Sequence, residues 1–205
     1  MKGGATRLLF MANETSFMSP EINGIDALLG RYSLGVKHLC EPGPNDAQLA
    51  QIAGVALRAP DHGELMPFRL SAVRGAGREK LADLFETYAR AKGKSEESCA
   101  IERERALRAP VSIAVIARID LHHPMVPAHE QWACIGGAVT NILNAAHLLG
   151  FAGKMLSGEK VRDPAISAAF CKQGETLVGW VTLGTPNKAL STNREKPVAA
   201  VLSYF

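Results

Sequence analysis

The densest group of chemically capable side chains lies in Arg58-Ala59-Pro60-Asp61-His62-Gly63-Glu64-Leu65-Met66-Pro67-Phe68-Arg69-Leu70. Two prolines and a glycine stiffen this connection, so Arg58, Asp61, His62 and Arg69 are offered from a fixed backbone. Adjacent Asp61 and His62 could bind a metal ion for hydrolysis, although no further His/Asp cluster accompanies them. Arg31-Tyr32-Ser33 joins a guanidinium to a hydroxyl, a pair suited to phosphate because the planar fork takes two oxygens and the serine adds a donor. His122, His123, His129 and Glu130 are metal-ligating types, but they fall on a Pro-containing loop without an HExxH frame. Ser33, Ser71, Ser157 and Ser203 offer hydroxyls outside any GxSxG turn. With no GxGxxG and no P-loop, a bound phosphate would be held by side chains.

These groups need a frame, and the apolar periodicity supplies one. Residues 21–30 predict a short helix with Ile22, Ile25, Leu28 and Leu29 on one face and Gly30 as its stop. Asn45 or Asp46 caps a second helix that carries Leu49, Ile52, Ala53, Ala56 and Leu57 and stops before Pro60. Residues 68–73 predict a strand and 78–91 an amphipathic helix with Leu81, Leu84, Phe85 and Tyr88 inward. Residues 95–107 predict a helix whose alternating Glu and Arg suit a solvated face. Residues 111–119 and 177–183 are β-branched-rich strands, the second closed by Gly184-Thr185-Pro186. The helix at 129–149 is apolar nearly all round and contains Gly136-Gly137, which predicts close approach of another element, with a second subunit as the candidate.

The order of elements predicts an α+β fold with a central mixed β-sheet flanked by helices. The 205 residues contain no Ser/Gly- or Pro-rich linker within 25–185, so 21–205 is expected to form a single domain behind a disordered leader, 1–20. A net charge of +3, with cations interspersed among acids, argues against nucleic acid. Residues 7–12 are too short to span a bilayer, and the long helix carries Asn141, Asn144 and His147 without flanking charge asymmetry, so no membrane association is expected. Cys40, Cys99, Cys134 and Cys171 are widely spaced with no CxxC pair, which fits a reducing cytoplasm.

Arg31-Tyr32-Ser33, Glu41-Pro42, Arg58-Ala59-Pro60-Asp61-His62 and Pro67-Phe68-Arg69 together resemble the flavin-dependent nitroreductase family, in its short YdjA-like branch. Pro127-Ala128-His129-Glu130-Gln131, Leu149-Gly150-Phe151-Ala152-Gly153, Ser157-Gly158 and Leu183-Gly184-Thr185-Pro186 continue the resemblance over about residues 25–205. It implies an intertwined homodimer with FMN sites shared between subunits and NADH or NADPH as electron donor. The implied cofactor ligands are Arg31, Tyr32 and Ser33 at the phosphate and ribityl chain, and Met155, Leu156 and Ser157 along the ring. Arg58 and His62 would come from the other subunit. The resemblance implies no catalytic side chain, since FMN would carry electrons to a nitroaromatic, quinone or similar acceptor. Three positions depart from the family pattern: Tyr32 replaces Arg or His, Gly35 replaces a basic residue, and Met155-Leu156-Ser157 replaces Trp-Arg-Ser. Two other functions remain at this point: a flavin store or sensor with little turnover, and a metal-dependent hydrolase built on Asp61 and His62.

Overall fold

The computed structural model describes residues 24–189 and 197–205. The expected leader at 1–20 lies outside the described residues, as does Ile22 of the first helical face.

Six α-helices and five strands follow one another along the described residues. They are α1 (Gly24–Leu29), β1 (Leu39–Cys40), α2 (Asp46–Ala56), β2 (Phe68–Val73), α3 (Ala76–Ala91), α4 (Glu96–Arg108), β3 (Val111–Ala117), α5 (Ala128–Leu148), β4 (Ala152–Leu156), α6 (Pro164–Phe170) and β5 (Thr176–Pro186). The sheet order is β1-β5-β3-β2, with β4 also on β5. All named strand pairs are antiparallel, so the expected mixed character is confined to one parallel bridge between Ser33 and Gly153. Between β2 and β3 this direction follows from the two helices that connect them. α3 and α4 fold back on each other, with Arg103 bridged to Glu79 and Asp83, and return the chain reversed beside β2.

Every residue of β3 is buried, because both sheet faces are covered. Ile113 and Val115 face a core built with α2 and α5, where Ile52, Ile135 and Ile142 pack. Ala114 and Ile116 face a second core with Leu81, Tyr88, Ile166 and Trp180. Strand β5 should alternate likewise, yet Leu177 joins the second core while Val181 and Leu183 join the first. A register shift between Val115 and Ile116 accounts for the change of face, with Gly179 at φ 152° on the bulged strand.

α2 begins in a capping box: Asn45 Oδ1 accepts from the Gln48 amide at 2.9 Å, and Gln48 Oε1 accepts from the Asn45 amide at 3.0 Å. The helix ends at Ala56, ahead of Pro60. The close approach expected at Gly136-Gly137 is made within the chain. A Cβ on Gly137 would stand 3.2 Å from Ala59 Cβ, whereas one on Gly136 would meet nothing within 4 Å. Gly137 therefore seats the loop that carries Arg58 and His62. No helix among the described residues is long and apolar enough to cross a membrane.

Arg69 is structural. Its Nε and Nη2 donate to Glu175 at 2.8 and 2.5 Å, and Nη2 also donates to the Phe170 carbonyl. Arg69, aided by the Lys172 amide against the opposing effect of burial, lowers the Glu175 carboxyl from 4.5 to about 2. A carboxyl depressed by folding adds stability above its unfolded pKa and loses it as pH falls through the folded value. Glu175→Gln should therefore flatten the acid limb of the stability profile between pH 4.5 and about 2, measured by urea unfolding across that window. An unchanged limb would remove this pair from the acid response.

Candidate functional site

Strand β4 pairs with β5 in the register Met155 with Val181 and Leu156 with Trp180. Alternation sends Met155 to the α5 core, and puts Lys154 and Leu156 on the other face. There a cavity of about 490 Å³ opens, lined by Leu156, Ser157, Lys154 and Glu159 at the end of the strand. Gly158, at φ 124°, turns the chain into the 3-10 turn Glu159–Arg162. The apolar side of the cavity is Val36, Phe85, Tyr88 and Trp180. The Trp180 ring is fixed edge-on by Phe85 at 5.4 Å and Phe170 at 5.9 Å. Its buried Nε1 has no hydrogen-bond partner among the described residues.

The lining is strongly basic. Lys37, Lys94, Arg105, Arg108, Lys154 and Lys160 all contribute to it. Glu102, 4% exposed, lies behind them and accepts from Lys94, Arg105 and Lys160. Burial alone would raise its carboxyl, but the hydrogen bonds from Lys160 and Lys94 and the charges of Lys160 and Arg105 outweigh it and hold the group below its usual range. The α4 helix is thus not simply a solvated face, as its alternating charges suggest. Cys99, Glu102 and Ala106, at helical spacing, form its buried side.

The remaining ligand candidates fall in two other places. Arg31 and Tyr32 border a small nook with Leu143, His147, Phe151 and Gly153. Arg31 Nη1 is buried there without a hydrogen-bond partner among the described residues, while Tyr32 and Ser33 are exposed. The Leu34 amide donates to the Gly153 carbonyl at 3.1 Å, which ties this segment to β4. Met155, expected beside the ring, does not line the cavity and packs, partly buried, against the first core. Arg58 and His62 are exposed and outside the cavity. His62 Nδ1 lies 2.7 Å from Glu130 Oε2, and Asp61 Oδ2 accepts from the Met66 amide at 2.7 Å. Asp61 thus closes its own turn, and the Asp61-His62 pair has separate partners. Among the described residues no group of three or more His, Cys, Asp or Glu side chains is gathered for a metal.

Cations stand near two of the departures. Lys37 lines the cavity together with Gly35, so a cation is present although Gly35 has none. Lys154 lies on the same face of β4 as Leu156 and brings a charge where Leu156 carries none.

A family model for the nitroreductase family matches residues 32–185, a span that takes in the Arg58 loop, α4, β4 and the cavity. The chain belongs to the nitroreductase family. The chain is 33% identical over 186 residues to "Putative NAD(P)H nitroreductase YdjA" of Escherichia coli strain K12, covering 90% of the chain and all of that relative. It is 34% identical over 150 residues to a "Putative NAD(P)H nitroreductase" of Haemophilus influenzae, covering 73% of this chain and 82% of that one. Its fold matches a nitroreductase-like family protein from Bacillus cereus with a TM-score of 0.77 at 21% identity, over 92% of this chain and 98% of the other. A protein described as "a putative nitroreductase in complex with fmn", from Desulfovibrio desulfuricans, gives a TM-score of 0.66 at 20% identity, over 90% of this chain and 98% of the other.

Proposed function

We propose that this member of the nitroreductase family is an FMN-dependent oxidoreductase that uses NADH or NADPH to reduce a nitroaromatic, a quinone or a similar acceptor. The observation that carries the reading is the cavity beside β4. Its wall is apolar, its rim is cationic and Leu156 and Ser157 stand at its edge. The donor set suits FMN, since Trp180 brings a buried N–H at the cavity wall and Arg31, in the separate nook tied to β4 through Gly153, brings a buried, unpartnered guanidinium nitrogen for a phosphate. FMN, when bound, supplies the chemistry by accepting a hydride from the nicotinamide and passing two electrons to the acceptor.

The chain's own part is binding and electrostatics. Arg31 and Ser33 hold the phosphate end, and Tyr32 covers it in place of a second cation. Leu156, Val36 and the aromatic wall exclude water from the ring. Backbone amides at Ser157 and Gly158 offer donors to its polar edge, and Arg105, Lys154 and Lys160 favour negative charge there. No side-chain nucleophile is required.

Arg58 and His62 are assigned to the site of a second copy, in a homodimer. Exposed Val55, Leu57 and Met66 flank their loop, and Trp132 in α5 is also exposed, as an interface would require. The four free cysteines suit a cytoplasmic enzyme. Anaerobic stopped-flow mixing with NADH and with NADPH tests the enzyme reading. At least one nicotinamide should bleach the bound flavin, and a nitroaromatic or quinone should restore its colour. FMN that binds but is bleached by neither would make the protein a flavin store instead.

A further inference from the structure

Glu102 is a buried carboxylate reached by cations from three segments. Lys94, from the turn before α4, lies 3.1 Å from Oε1, and Arg105, one turn along α4, lies 2.8 Å from the same oxygen. Lys160, from the 3-10 turn after Ser157, lies 2.7 Å from Oε2. All three cations line the cavity. Lys160 is further placed over the Phe85 ring at 4.8 Å and the Tyr88 ring at 5.8 Å, so its ammonium is clamped between a carboxylate and two aromatic faces. The contact between Glu102 and Lys160 joins residues 58 apart in sequence. It therefore fixes the segment carrying Ser157, Gly158 and Glu159 against α4.

A buried carboxylate is retained only where cations compensate its lost hydration, and its charge is felt strongly by neighbours in the same low-dielectric wall. We infer that Glu102 is a positioning residue of the flavin pocket: it holds Lys160 and Arg105 on the wall, anchors the Ser157–Glu159 turn and tempers the positive charge facing the ring. This rests on the FMN reading above. Two-electron reduction by hydride adds negative charge to the bound cofactor, so a more positive wall favours the reduced form and a less positive wall the oxidised form.

The test uses full-length protein loaded with FMN, with midpoint potentials read by anaerobic dye equilibration and amide hydrogen exchange of 156–162 read with and without FMN. Glu102→Gln should move the potential to more positive values, and Lys160→Gln to more negative ones. Both should speed exchange in 156–162 even without cofactor. Glu79→Gln, the same charge change on the exposed face of α3 where the carboxylate meets Arg103, should move neither readout, because solvent and salt screen it. Unmoved potentials in Glu102→Gln and Lys160→Gln, even with lowered thermal stability, would overturn the inference by leaving Glu102 a purely structural group. If Glu102→Gln does not fold, Lys160→Gln and Lys94→Gln decide: a negative shift supports it and no shift overturns it. If the wild-type protein takes up no FMN, the flavin reading fails by itself, and unchanged exchange at 156–162 in the variants would refute the anchoring as well.

Discussion

Arg31→Ala should weaken FMN binding by about 1.5–3 kcal/mol, roughly tenfold to a hundredfold in Kd, as expected for losing a hydrogen-bonded charge. Arg31 Nη1 is buried beside Leu143, His147 and Gly153 and has no partner among the described residues. An unsatisfied buried donor costs free energy in the cofactor-free protein, so removing it should leave the thermal stability of that form little changed. The combination separates a ligand role from a packing role. Arg31→Lys should recover part of the affinity, because an ammonium restores charge but not the two-oxygen fork. Fluorescence titration of FMN with the three proteins, beside thermal melts without cofactor, is the check. Equal affinities would take Arg31 out of the phosphate site, and a large fall in stability with equal affinity would make it a packing residue.

Gly153→Ala should be strongly damaging for a single added methyl group. Its Cβ would stand 2.5 Å from the Thr182 carbonyl oxygen and 2.6 Å from Leu183 Cδ2. Backbone cannot yield as a flexible side-chain tip does, so β4 must move off β5. Overpacking of this kind costs about 1–3 kcal/mol. The damage should extend to the cofactor, because Gly153 is the node of three segments. It pairs with Leu183, bridges Ser33, and accepts from the Leu34 amide. Displacing it disturbs both the Arg31-Tyr32-Ser33 segment and the strand leading to Leu156 and Ser157. Gly54→Ala is the matched control: a Cβ at that exposed position in α2 would meet nothing within 4 Å. It should raise stability by about 0.5–1 kcal/mol through helix propensity. Urea unfolding of both variants, with FMN titration, should show opposite signs of stability change and lost affinity only for Gly153→Ala. Two neutral substitutions would contradict the close approach.

Elements with sustained periodicity were legible from residue type alone. The strand at Phe68–Val73 and the long helix at Ala128–Leu148 stand within a residue of their expected limits. The short elements were not. Ala152–Leu156 has five residues, no β-branched side chain and a lysine in the middle, so only pairing with β5 makes it a strand. Helix α6 did carry a readable signal, Asp163 before Pro164: the carboxylate caps the amides of Ala165 and Ile166, and proline occupies the first turn.

The site divides in the same way. Leu156 and Ser157 could be placed through the family resemblance, whereas Lys94, Arg105 and Lys160 are dispersed over 67 positions of sequence and meet only through Glu102. Glu102 itself could have been found. It lies three residues after Cys99 and four before Ala106, on the one face of α4 that must be buried, and an acid there demands cationic partners. Met155 shows the converse limit. It adjoins two pocket residues, but strand alternation turns it to the opposite face, a distinction that requires knowing 152–156 is a strand.

On the reading proposed above, the cavity beside β4 holds FMN and makes it reducible by a nicotinamide. The absorption spectrum of the purified protein, saturated with FMN, freed of excess and then mixed anaerobically with NADPH or NADH, tests it most directly. The protein should be yellow, with one flavin per chain whose visible bands bleach on addition of a nicotinamide. A colourless protein that takes up no FMN would contradict it.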